Sequence, residues 1–82
     1  MLTAAQSRAG RALVDWSQDK LAGASNLSES TIRDFEKGRR VPALNNLAAI
    51  RRALEAAGVE FKPDGAVRLR DDEATPSEAR PS

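Results

Sequence analysis

Two short helix-sized segments, each opened by a serine and separated by a three-residue turn, limit most strongly what this chain can fold into. Ser17 precedes the first and Ser28 the second, with Ser25-Asn26-Leu27 between them. A serine just before a helix accepts a hydrogen bond from an otherwise unpaired N–H of the first turn. Asp19 and Glu29 stand in those first turns, where the helix dipole favours negative charge. Asn26 tolerates the left-handed backbone that a tight turn after a helix demands. Leu21, Ala22, Leu27, Ile32 and Phe35 fall where two crossing helices touch, and Ala22 is small enough for a close crossing. The block predicts two helices held at a steep angle by a few apolar contacts, so that the second stands clear of the body.

The flanking sequence supplies the body. Thr3 and Gln6 have capping-box spacing and predict a first helix that stops near Asp15. Its apolar face is expected at Ala5, Ala9, Ala12, Leu13 and Trp16, with Arg8 and Arg11 towards the other side. Leu21 and Ala24 carry the apolar face of the second helix. Gly38 closes the third helix, and Arg39-Arg40-Val41-Pro42 is an extended link, because the residue before proline is pushed out of the helical region. A fourth helix begins near Ala43 or Leu44, repeats apolar residues at Leu47, Ile50, Ala53, Leu54 and Ala57, and ends at Gly58. Val59 and Phe61, then Val67 and Leu69, alternate with polar residues around a Pro63-Asp64-Gly65 turn, which predicts a hairpin or strand pair. The expected core is Leu13, Leu21, Ala22, Leu27, Ile32, Phe35, Leu47, Ile50 and Leu54, with Trp16 as a half-buried brace. Residues 71–82 lack apolar periodicity and are expected to be disordered.

Composition excludes several chemistries. At 82 residues the chain holds at most one domain. It has neither cysteine nor histidine, so disulfides, thiolate metal sites and imidazole catalysis lack their usual residue. No Gly-rich phosphate loop or nucleophile–base pair is visible. No enzyme, catalytic residue, metal or cofactor is expected. No apolar run approaches the roughly 20 residues that span a bilayer, and the start of the chain shows no secretory signal, so a cytoplasmic protein without membrane association is expected. The net charge is only +1. It is unevenly spread: residues 1–58 carry +3, residues 59–70 carry +1 and residues 71–82 carry −3. A mildly basic body with an acidic tail gives modest support to an anionic partner.

The stretch Trp16-Ser17-Gln18-Asp19-Lys20-Leu21-Ala22, followed by residues 27–38 (LSESTIRDFEKG), resembles the Cro/repressor-type (Xre) helix-turn-helix proteins. Residues 47–61 look like the last helix and exit strand of small bacterial members. The likeness covers about residues 2–70, with two departures: Asn26 where the family usually has glycine, and Ser25 where a small apolar residue is commoner. It implies an all-α, lambda-repressor-like fold of four helices with a short C-terminal hairpin. The expected division is a DNA-binding domain at 1–58, a hairpin that is a candidate for dimerisation at 59–70, and the acidic tail at 71–82.

The resemblance also implies a site. The helix after Ser28 would enter the major groove of double-stranded DNA with its N-terminal end towards the bases. Ser28, Glu29, Ser30 and Arg33 occupy the base-reading positions. Arg33 suits a bidentate pair with guanine, and Glu29 suits a cytosine amine. Gln18, Thr31, Lys37, Arg39, Arg40 and Asn45 are the expected phosphate contacts, with Asn46 beside Asn45. A pairing of Arg33 with Glu29 or Glu36 stays open, as does a purely helix-stabilising role for Glu29. The expected function is a transcriptional regulator, a repressor acting as a homodimer on a two-fold operator, with its seam in the C-terminal strands or the fourth helix. The alternative is an antitoxin or antiactivator that binds a protein partner on the same scaffold.

Overall fold

The structure is a computed structural model and describes residues 1–70; the tail expected to be disordered lies outside the described residues. The order is α1 (Ala4–Val14), α2 (Gln18–Ser25), α3 (Glu29–Glu36), α4 (Leu44–Ala56), β1 (Val59–Phe61) and β2 (Val67–Leu69). The strands form one antiparallel pair with Val59 opposite Leu69 and Phe61 opposite Val67. The sequence expectation of four helices and a hairpin is met.

The caps explain where the helices start. Thr3 accepts the Gln6 N–H while the Gln6 side chain accepts the Thr3 N–H, a complete capping box. Ser17 accepts from Lys20 N–H, and Ser28 accepts from Thr31 N–H. The ends are equally local. Asp15 (φ 58°) and Asn26 (φ 62°) take the left-handed conformation after α1 and α2, and Gly38 (φ 78°) does so after α3. Each stop returns two N–H groups to the last carbonyls: after α2, Leu27 donates to Ala22 and Asn26 to Gly23. Asn26 therefore fills the glycine position of the turn. Replacing it with alanine should cost about 1 kcal/mol, whereas Asn26→Gly should be neutral or stabilising. Urea unfolding of the two variants checks this, and equal losses would show that the left-handed backbone is not what Asn26 supplies.

The core joins all the helices to β1. Leu21, Ile32, Ile50, Leu54 and Val59 are fully buried, with Leu2, Ala22, Phe35, Leu47 and Ala53 around them. A fully buried aliphatic side chain contributes roughly 1.5–3 kcal/mol. Eight-residue helices such as α2 and α3 do not persist on propensity alone, so this packing is what holds the pair at its angle. Ser25 is buried but satisfied: its hydroxyl donates to the Leu21 carbonyl at 2.7 Å. Trp16 and Leu27 brace the core from its rim.

The expected inner face of α1 is wrong. Ala5, Ala9, Ala12 and Leu13 are exposed, and Ser7 and Gly10 are buried instead. Leu13, placed in the core by sequence, is 38% exposed. The reason is steric and electrostatic. A Cβ at Gly10 would stand 3.0 Å from Leu54 Cδ1, so α1 lies tight against α4 at its one residue without a side chain. That rotation turns Ser7 and Arg11 towards α3. Arg11, expected on the outer side, is half-buried there. Ala24 of α2 is also exposed, because α2 buries Leu21, Ala22 and Ser25.

Candidate nucleic-acid interface

Helix α3 has two unlike faces. Ile32, Phe35 and Glu36 point inward and are buried. Ser28, Glu29 and Ser30 are exposed at its N-terminal end, and Arg33 and Thr31 are half-exposed. Three hydroxyls meet at that end: Ser28 Oγ lies 3.1 Å from Ser30 Oγ and 2.8 Å from Thr31 Oγ1. They are short, orientable groups that can each donate or accept. The Arg33 guanidinium has no ion-pair partner among the described residues, so the pairings with Glu29 or Glu36 are not made. The N–H donors of its planar fork therefore remain available on the same helix as the serines.

Cations follow at the other end of α3. Lys37, Arg39 and Arg40 are all exposed and, among the described residues, unpaired. The Gly38 turn fixes where they emerge: Arg39 N–H donates to the Asp34 carbonyl at 2.8 Å and Gly38 N–H to Phe35 at 3.0 Å. Asn45 is exposed in the first turn of α4, with Asn46 half-exposed behind it. Helix α4 has no side-chain cap, since Ala43 stands at that position.

Gln18 is placed differently from the other expected phosphate contacts. Its amide donates to Glu36 Oε1 at 3.1 Å, so its side chain faces inward and ties the start of α2 to the end of α3. It belongs to a network that the sequence reading missed. Glu36 is 4% exposed and accepts from Ser7 Oγ at 2.6 Å, from Arg11 Nε at 3.0 Å and from Arg11 Nη2 at 2.7 Å, as well as from Gln18. Arg11 also donates to the Trp16 carbonyl at 3.0 Å, and Arg8 to the Glu36 carbonyl. Burial alone would push the Glu36 carboxyl up. The bonds from Arg11, Ser7 and Gln18, with the Arg11 charge, outweigh burial and hold it below its ordinary value. The bond that Arg11 donates to Glu36 holds Arg11 above its own ordinary value, against desolvation. One signal was legible in advance. Glu36 follows Ile32 by four residues, so it shares the inner face of α3 and needs a cation there.

With α3 presented this way, comparison with known proteins has a definite meaning. A helix-turn-helix family model matches residues 8–60, well over half the chain. The chain belongs to the Cro/C1-type (Xre-like) helix-turn-helix family. No curated protein matches it. Membership brings a DNA-binding, transcription-regulating kind of function. The matched span covers most of α1, the whole α2–turn–α3 unit, α4 and most of β1. Among the described residues no helix is long and apolar enough to cross a membrane, and no group of acidic side chains is placed to hold a metal ion.

Proposed function

We propose that this helix-turn-helix protein is a repressor that binds a two-fold operator as a homodimer, reading bases with Ser28, Glu29, Ser30 and Arg33. The observation that carries the reading is the outer face of α3, where the three hydroxyls, Glu29 and an unpaired Arg33 stand clear of the core. Lys37, Arg39, Arg40 and Asn45 supply phosphate contacts around it. Thr31 adds its hydroxyl. Gln18 contributes through the backbone N–H at the start of α2 rather than its committed amide. One recognition helix touches only a few base pairs, so a single copy discriminates weakly and symmetric pairing doubles the contacts.

Selection of bound sequences from a random DNA pool tests this. The expected product is a pair of inverted half-sites with centres about 10–10.5 base pairs apart or a multiple of that. A pool that returns no enriched sequence at low salt, with stoichiometric capture of one protein, would sink the reading in favour of a protein-binding module. Repression itself is checked by placing the selected site over a promoter and measuring loss of transcript.

A further inference from the structure

We propose that Asp34 is a specificity-determining residue of α3: its carboxylate opposes the phosphates of unrelated DNA and is satisfied only where the operator presents a base amine to it. That role rests on the operator-binding reading above and adds a residue which that reading leaves out. The phase of α3 places it. At about 100° for each residue, Asp34 stands roughly 200° round the helix from Ile32, which is fully buried, so it lies on the side away from the core. Ser30 is one turn earlier on the same stripe, and Lys37 follows three residues later. Asp34 is half-exposed there. Nothing among the described residues compensates its charge. It forms no ion pair with Arg33, Lys37 or any other cation, and its carboxylate accepts no hydrogen bond.

Two fields act against this carboxylate. Asp34 occupies the last turn of α3, where the helix dipole disfavours negative charge, and it lies on the side that meets a polyanion. The other acid of that turn, Glu36, faces inward and is met by Ser7, Arg11 and Gln18. Asp34 has no such partner, so its charge lowers both the stability of the helix and the affinity for a generic duplex. Glu29 differs: it stands in the first turn, where the dipole favours it, so its presence needs no DNA to explain it. A charge that opposes every wrong site improves discrimination, because specificity is a difference of affinities and a cost against the wrong partner counts as much as a gain with the right one. In the major groove the matching group is the N4 amine of cytosine, the base edge that donates to Asp or Glu. A contact there supplies the hydrogen bond that the protein itself does not.

Asp34→Ala removes the charge and the acceptor together. Its affinity for a scrambled duplex at low salt should rise about three-fold and its affinity for the selected operator should fall about three-fold, so discrimination drops about ten-fold. Asp34→Glu keeps the charge and changes its reach: affinity for the scrambled duplex should stay within about two-fold of the wild type while operator affinity falls. Selection from a random pool with Asp34→Ala should lose the preference for one cytosine in each half-site and keep the rest. Asp34→Ala should also match or exceed the wild type in Tm, since an acid leaves the last turn of a helix; a lower Tm would make the carboxylate structural and overturn the proposed role. A ratio of operator to scrambled affinity within about two-fold of the wild type would overturn it as well, and would leave the operator reading standing. A wild type that holds the two duplexes equally would overturn the operator reading, and this role with it.

Discussion

Glu36→Gln is expected to destabilise the protein by about 3 kcal/mol, a large share of the stability of a small domain. The substitution keeps the shape and removes the charge. It leaves Arg11, whose side chain is only 20% exposed, without its counter-ion, and it leaves Ser7 Oγ without a charged acceptor. The figure is at the low end for a broken buried pair because Arg11 keeps a fifth of its side chain in water. A domain of this size should lose roughly 12 °C or more in Tm, at about 4–8 °C for each kcal/mol. The double variant Arg11→Met with Glu36→Leu should recover most of the loss, since well-packed apolar replacements of a buried pair are often neutral. Thermal unfolding followed by circular dichroism checks both. A double variant as unstable as the single one would mean that shape, rather than the uncompensated charge, controls the site.

The same pair predicts an acid response. The Glu36 carboxyl is held below its ordinary value of 4.5 in the folded chain. The folded state therefore binds the proton less readily than the unfolded state does. The stabilisation is complete above about 4.5 and is lost as pH falls through the lower folded value. Urea midpoints measured from pH 7 to pH 3 should fall for the wild type, and that fall should be smaller for Glu36→Gln. Parallel curves would show that other carboxylates set the acid limit.

The parts of the fold that were legible in the sequence are those fixed by local chemistry. Thr3, Ser17, Ser28, Asn26 and Gly38 each act through their own backbone and the next turn, and each sits where its residue type predicts. The Pro63-Asp64-Gly65 turn is similar: Asp64 Oδ1 accepts the Ala66 N–H at 3.0 Å and Gly65 takes a positive φ. The orientation of α1 was not legible, because two phases of its sequence look plausible. The alanine-rich phase is the more apolar one, yet the buried phase runs through Ser7, Gly10 and Arg11. What selects it lies elsewhere in the chain: the bulk of Leu54 and the carboxylate of Glu36. The helical period places Glu36 on the inner face of α3 four residues after Ile32 but does not name its partners, so the network that anchors α3 stayed hidden while the exposed face of that helix was found. Gln18 shows the consequence, since a residue expected on a phosphate spends its amide inside.

Arg33→Ala should lower affinity for the selected operator by roughly 5–150-fold, the 1–3 kcal/mol that a good bidentate pair with a base discriminates. Binding to unrelated duplex should barely change, because that binding rests on phosphates. Arg39→Ala should do the opposite. Arg39 is exposed, unpaired among the described residues and held at the exit of α3 by its own backbone bond to Asp34, which suits a phosphate clamp. Its loss should weaken specific and non-specific binding alike and reduce the slope of log K against log salt by about 1. The pair of variants separates reading from clamping within one helix and its link. Measured by fluorescence anisotropy over a salt series on the selected site and on a scrambled one, the two profiles should cross. If Arg39→Ala erased sequence preference while Arg33→Ala only flattened the salt slope, base reading would belong to the link after α3, and the exposed hydroxyl face of the helix would be left with the backbone.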